Sequence, residues 1–272
     1  MWTERLEREA HRYPASDVYG GRSFQEARAT ATRLSAKLVV VSAGLGLIEA
    51  STPIPSYGCT VLVGADDGVQ ARVPGAFSIG SWWRALSKAS CFSISLADLV
   101  REQPGPLLVA LSQAYLEMLA PDLIALPAAD LVRIRIFTGS PIDRTPAALL
   151  PYRMPYDHRL DGPDSPRQGT RNDFASRALA HFVAMGRGKV PQTLLAEDAE
   201  AVASAIALWR EPEKFDRKRY DDEAMRKLIG QYWDSAGGSS SRLLRYFRDE
   251  LDIACEQSRF AALARQVRGE RR

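Results

Sequence analysis

Three short stretches carry residues suited to holding a flat, polar ligand. Ser42-Ala43-Gly44-Leu45-Gly46 ends a β-branched run and is followed by Glu49, Pro53, Pro55 and Tyr57. Ser112-Gln113-Ala114-Tyr115 follows the apolar run Leu107–Leu111, and Thr138-Gly139-Ser140-Pro141, with Asp143 and Arg144 behind it, follows Leu131–Phe137. Small residues let a ligand approach the backbone, prolines stiffen the connection, and Tyr57 offers a stacking face. The binding set read from these loops is Ser42, Gly44, Tyr57, Gln113, Tyr115, Thr138 and Ser140. Tight turns at the glycines and core packing by Tyr57 are the competing roles, since Gly-Leu-Gly alone is no nucleotide fingerprint.

The elements that would position these loops follow from apolar periodicity. A helix from Ser23, with Ser23 as its cap, runs to about Leu34, and Leu38–Val41 forms a buried strand. Cys59–Val63 reads as a further short strand ending at Gly64-Ala65-Asp66-Asp67-Gly68, and Ser81-Trp82-Trp83 opens a helix. Leu107–Leu111 is a strand leading into the helix Gln113–Leu119, and Leu131–Phe137 is another strand. Such alternation is the pattern of a parallel α/β sheet, in which ligands bind beyond the carboxyl ends of the strands; all three loops would then open onto one rim. After Pro151 the texture changes to a polar stretch over 151–173 and then helices over Phe174–Met185, Ala196–Trp209, Asp221–Trp233, Ser241–Leu251 and Cys255–Val267. The expected division is an α/β core over 1–150 and a polar loop with helical extension over 151–272.

Composition narrows the function classes. With 272 residues and 46% hydrophobic content the chain can bury a core. The apolar runs are strand-sized, and Met-Trp-Thr-Glu-Arg lacks the apolar core of a signal peptide, so a cytoplasmic location is expected. Three dispersed cysteines (Cys59, Cys91, Cys255) and three dispersed histidines give no disulfide framework and no zinc spacing, and neither a metal nor a cofactor is expected. The first 150 residues carry 14 Lys and Arg against 14 Asp and Glu, and the remainder 22 against 19, so the whole +3 excess lies in the second half. Its cations are mostly arginine, which suits phosphate, although a solvated mixed-charge surface accounts for the same count.

The segments Tyr13-Pro14-Ala15-Ser16-Asp17-Val18-Tyr19, Phe24-Gln25-Glu26-Ala27-Arg28, Val41-Ser42-Ala43-Gly44-Leu45-Gly46-Leu47-Ile48 and Thr52-Pro53-Ile54-Pro55-Ser56-Tyr57 together resemble the YaaA-like peroxide-stress proteins of bacteria. The order of strand ends is similar to that of uracil-DNA-glycosylase-like folds, with Phe137-Thr138-Gly139-Ser140-Pro141 resembling their last, DNA-entering loop. This resemblance implies a parallel-sheet uracil-DNA-glycosylase-like core and an antiviral bacterial DNA glycosylase acting on sugar-modified cytosine in phage DNA. Such cleavage needs an extruded base, a pocket for it, and a carboxylate that activates water or steadies a cationic sugar. Glu49, behind the first loop, and Asp157, in the polar stretch Pro155–Arg171, are the candidates. No lysine follows a strand end, which disfavours a Schiff-base lyase.

For the duplex, Arg144, Arg159, Arg167 and Arg171 are the candidate contacts of the core and polar loop. The C-terminal run Gly237-Gly238-Ser239-Ser240-Ser241-Arg242-Leu243-Leu244-Arg245, then Leu251-Asp252-Ile253 and Cys255-Glu256-Gln257-Ser258-Arg259, resembles a helix-turn-helix. Ser239 and Ser240 would leave a helix N-terminus for phosphate, and Arg242, Arg245 and Arg259 would flank it. The alternatives are a DNA-binding protein without catalysis and an N-glycosyl enzyme acting on nucleosides or RNA.

Overall fold

The computed structural model describes residues 2–62, 65–190, 193–213 and 217–270. They divide into two compact units, Met1–Pro212 and Glu213–Arg272. The first contains α1 (Trp2–Arg8), β1 (Tyr13–Pro14), α2 (Ala15–Val18), α3 (Arg22–Leu34), β2 (Val39–Ser42), β3 (Gly46–Glu49) and β4 (Pro53–Ile54). It continues with α4 (Ile79–Ala89), α5 (Leu96–Glu102), β5 (Leu107–Ala110), α6 (Gln113–Ile124), α7 (Ala128–Leu131), β6 (Ile134–Phe137), α8 (Phe174–Ala184) and α9 (Leu195–Ile206). The second holds β7 (Lys218–Arg219), α10 (Asp222–Tyr232), α11 (Ser240–Asp249), β8 (Ile253–Ala254) and α12 (Gln257–Glu270).

The chain is mixed α/β with small sheets, one of them the expected parallel pair: β5 and β6 run in register from Leu107↔Ile134 to Ala110↔Phe137. Both faces of this pair are covered. Val109, Ile134 and Ile136 pack with Leu116, Leu119 and Leu123 of α6, while Phe137 packs with Phe182 of α8 and Val202 and Ile206 of α9. Burial on both faces explains the unbroken apolar sequence of these strands. Arg135 is the exception within β6. It is buried because its Nε donates to Asp198 Oδ2 on α9 at 2.6 Å and its terminal nitrogens donate to the carbonyls of Val132, Ile134 and Thr193.

Three expectations are corrected. The strand expected at Leu38–Val41 is not hydrogen-bonded into one parallel sheet with β5: as β2 it pairs antiparallel with β3, Val39↔Glu49 through Ser42↔Gly46. Gly46, at φ +89°, closes the tight turn, so Leu47-Ile48-Glu49 returns as a strand. The strand expected at Cys59–Val63 is reduced to one bridge, Thr60 to Gly68, with Val63 and Gly64 outside the described residues. The α3 cap position is Gly21, not Ser23, whose hydroxyl instead donates to Ser176 Oγ of α8 at 3.1 Å.

The break expected after residue 150 falls inside the first unit. Helix α8 packs on α3, β5 and β6, and the Arg135–Asp198 pair fastens α9 to β6, so residues 151–212 complete this unit. In the second unit Met225, Ile229, Leu243, Phe247, Phe260 and Leu263 form a separate core. Between α11 and α12 the chain turns at Asp252, φ +52°, and passes through β8, which pairs in parallel with β7. No helix of the described residues is long and apolar enough to cross a membrane.

Candidate functional site

The β2–β3 turn is held from four directions. Ser42 Oγ accepts the N–H groups of Gly44 and Leu45 at 3.2 and 3.0 Å. The indole N–H of Trp82 on α4 donates to Ala43 O at 2.8 Å, and that of Trp2 on α1 donates to Gly44 O at 2.6 Å. From the Pro53–Gly58 stretch Tyr57 lays its ring over Gly44 and bonds its hydroxyl to Ser42 Oγ, at 2.5 Å, and to the Tyr19 hydroxyl. Glycine at 44 is therefore a requirement of space. A Cβ there would stand 2.7 Å from Tyr57 Cε2.

Around these groups lies a neutral, hydroxyl-rich cluster. Tyr115, in the first turn of α6, meets Thr60 Oγ1 at 3.3 Å, and Cys59 Sγ donates to Ala43 O at 3.6 Å. Burial raises the pKa of Tyr19, Tyr57 and Tyr115; repulsion from neighbouring phenols adds to it at Tyr19 and Tyr57, and from Cys59 and Asp67 at Tyr115. The Cys59 thiol is pushed up to about 11 by burial and by Asp67. All four stay protonated at neutral pH, so the cluster offers donors and acceptors without charge.

A cleft of about 310 Å³ opens beside it, lined by Trp2, Arg5, Leu6, Glu9, Ser56, Tyr57, Gly58 and Arg72. Trp2 and Tyr57 meet edge to face there, centroids 6.3 Å apart. Arg72 is steered by the carbonyls of Gly58 and Asp66, while Arg5 is exposed. Asp67 comes close to this wall, its Oδ2 3.8 Å from where a Cβ on Gly58 would be. Sequence reading found Ser42, Gly44, Tyr57 and Tyr115, which the fold brings together, but missed Tyr19, Thr60, Cys59, Trp2 and Asp67. Asp66-Asp67-Gly68, directly after an expected strand, was the available signal for the carboxylate.

Other expected members lie elsewhere or are occupied. Glu49 pairs across from Val39, at the opposite end of the hairpin from Ser42, and binds Lys37 Nζ at 2.9 Å. Asp157 caps the turn His158–Asp161 and grips Arg159 with both oxygens; burial would raise its pKa, but the hydrogen bonds from Arg159 outweigh that and lower it. Thr138 and Ser140 are buried with their hydroxyls bonded to each other at 2.9 Å, and Gly139 lies against the Phe174 ring, which closes this loop on itself. Gln113 donates along its own helix to Glu117 at 2.9 Å.

The arginines divide in the same way. Arg159 is spent on Asp157 and on the carbonyls of Ile206 and Ala207 at the end of α9, and Arg167 pairs with Glu26 at 2.9 Å. Arg259 reaches Asp222 and Tyr220 O. Arg144 and Arg171 are exposed, as are Arg242 and Arg245 on α11. Ser239 caps α11, its hydroxyl accepting Arg242 N–H at 3.4 Å, and Ser240 is the first helical residue.

The polar stretch ahead of α8 is organised by Arg177 of that helix, which is fully buried. Its guanidinium donates to Asp173 Oδ1, Asp161 Oδ1 and the carbonyls of Leu160, Arg167 and Thr170, using every N–H it has. Comparison with family models, with curated proteins and with solved structures finds no match for this chain.

Proposed function

We propose that the protein is a DNA glycosylase whose extruded base enters the cleft beside Tyr57. The observation carrying this reading is the cleft itself: aromatic faces from Trp2 and Tyr57, an uncharged hydroxyl cluster behind them, and the cations Arg5 and Arg72. A nucleobase is flat, neutral and rich in hydrogen-bonding edges, and its flanking phosphates are anionic, so the two halves of the cleft match the two halves of a nucleotide. Hydrolysis of the N-glycosidic bond adds water to the sugar carbon and releases the base with a proton. Asp67 takes the role of activating that water, because Glu49 stands at the wrong end of the hairpin and Asp157 is held by Arg159. The exposed Arg242 and Arg245, behind the capped start of α11, serve as phosphate contacts of a helix-turn-helix-like second unit. The resemblance of Phe137-Thr138-Gly139-Ser140-Pro141 to the last loop of uracil-DNA-glycosylase-like folds supports the same reading, with sugar-modified cytosine in phage DNA as the target.

A second reading, a DNA-binding protein without catalysis, is favoured by the engagement of Glu49 and Asp157 in ion pairs. Incubation with plain and with hypermodified phage DNA, followed by mass spectrometry of the released base, separates the two. Free base and an abasic site are expected from the glycosylase. Binding without release leaves the second reading, and release from nucleosides but not from polymer leaves an enzyme of free nucleosides.

A further inference from the structure

The larger cavity of the first unit, about 710 Å³, lies away from the hydroxyl cluster and is bordered by the free edges of two strands. On β2 the pairing to β3 uses alternate residues. Ala50 N–H donates to Leu38 O within the hairpin, while Leu47 gives its carbonyl outward to Ile94 N–H; Val41, opposite Leu47, and Val39, opposite Glu49, therefore turn their N–H and C=O groups to the other edge. On β5, Leu107 N–H donates to Arg133 O and Leu111 N–H to Phe137 O, so Leu108 and Ala110 turn their main-chain groups away from β6. Among the described residues, none of these four residues has a main-chain hydrogen bond on that edge. All four line the one cavity, and the hydroxyl contacts of Ser42 and Tyr115 with the Tyr57–Thr60 stretch bring the carboxyl ends of β2 and β5 to the same side.

We infer that this cavity is a slot for one extended segment of a second protein, which enters between β2 and β5 and joins the two pairs into a single five-stranded sheet. Two open edges demand an occupant with donors and acceptors on both of its own edges, and a peptide strand is the chemical class that has them. An aliphatic chain would fill the space yet strip water from four N–H and four C=O groups without replacing it. The walls specify the side chains. Leu34 and Leu179 stand among the lining residues from α3 and α8, and Leu99 and Leu119 from α5 and α6, so both faces of the inserted strand are apolar. Its length matches the four residues of β2 and of β5. At the mouth stand the exposed cations Arg33 and Lys189, which select an acidic residue beside the apolar run. This slot is independent of the cleft and of any reaction there.

Amide hydrogen exchange read by NMR on the whole protein tests the slot, with acetyl-Asp-Glu-Val-Ile-Val-Val-amide as probe. In the free protein the amides of Val39, Val41, Leu108 and Ala110 should exchange fast while those of Val40 and Val109, paired within β2–β3 and β5–β6, exchange slowly. Peptide at roughly 1 mM should slow the first four at least about tenfold. The same peptide N-methylated at alternate residues should lose that effect, the pair Arg33→Glu and Lys189→Glu should weaken binding, and decanoate should leave the four amides fast. Slow exchange of these amides in the free protein overturns the inference. So does absence of binding at that concentration, equal binding of the N-methylated peptide, or equal protection by decanoate.

Discussion

The ring of Tyr57 covers Gly44 so closely that position 44 has no room for a side chain, because a Cβ there would stand 2.7 Å from the ring edge. Gly44→Ala must displace Tyr57 and with it the hydroxyl bonds to Ser42 and Tyr19. Tyr57→Phe keeps the ring and removes those bonds, which costs about 1–3 kcal/mol when buried partners are left unsatisfied. Base release should fall in Gly44→Ala, where the stacking face moves, and persist in Tyr57→Phe. Urea denaturation beside the release assay checks both, and equal loss of release in the two variants would deny that the ring face is what matters.

Position separates the carboxylates. Asp67→Asn should slow base release by at least about 100-fold with the fold intact, the scale for losing a placed base. Glu49→Gln should leave release unchanged and remove only the exposed Lys37 pair, worth under about 1 kcal/mol. A slow Glu49→Gln and a normal Asp67→Asn would reverse the assignment.

Arg177 is fully buried; of its carboxylate partners Asp173 is buried and Asp161 partly exposed. Arg177→Met strands the Asp173 carboxylate and unties the carbonyls of Leu160, Arg167 and Thr170, a loss of about 3–5 kcal/mol for breaking a buried pair. Arg177→Lys recovers little, since one ammonium cannot reach five acceptors. Thermal melts of the two variants decide this.

His181 is buried, its Nδ1 2.7 Å from the Tyr156 hydroxyl and its ring against Trp209. Burial lowers its pKa, and the nearby Arg167 lowers it further. An unfolded histidine takes up a proton below about pH 6.5, which the folded one resists, so this site's stability is full above that value and declines as pH falls through the lowered folded value. Denaturation midpoints measured across that window should fall for the wild type and flatten in His181→Gln. A proton-coupled His181 signal titrating at or above the ordinary value would contradict the sign.

Arg242 and Arg245 stand three residues apart on α11, and both are exposed. If each meets a phosphate, the double change Arg242→Ala/Arg245→Ala should lower the slope of log affinity against log salt by about 1.8 and weaken every duplex alike. Arg259→Ala should instead act on stability, through Asp222 and Tyr220. Identical salt slopes for wild type and the double variant would remove the duplex from α11.

What the sequence disclosed depended on range. Helices α8 to α12 and the β5–β6 pair were legible because burial repeats within one element, as in Leu243, Leu244 and Phe247 of α11. The hairpin β2–β3 was not, because Gly44 and Gly46 look alike in sequence while only Gly46 takes a positive φ, and that one dihedral decides whether Leu47–Glu49 returns as a strand. Half of the site was legible for the same reason: Ser42 and Tyr57 stand near a local glycine signal, whereas Tyr19 and Trp2 join through contacts 38 and 42 residues away in the chain. The ion pair that occupies Arg167 reaches Glu26, 141 residues away in the chain, which no spacing encodes.

The web around Arg177 has a consequence for how this chain can vary. Surface connections are ordinarily where insertions and substitutions accumulate, and 157–173, rich in Pro, Gly, Asp and Arg, has the composition of such a place. Its backbone is nonetheless read carbonyl by carbonyl by a buried guanidinium, and at Gly169 a Cβ would stand 2.4 Å from Arg177 Nε. A single added residue would put Leu160, Arg167 and Thr170 out of step with a donor set that cannot stretch. Among descendants of this sequence the stretch should hold its length as strictly as a buried strand does, and drift should collect instead on exposed positions such as Leu208 and Ile142, which the web does not touch.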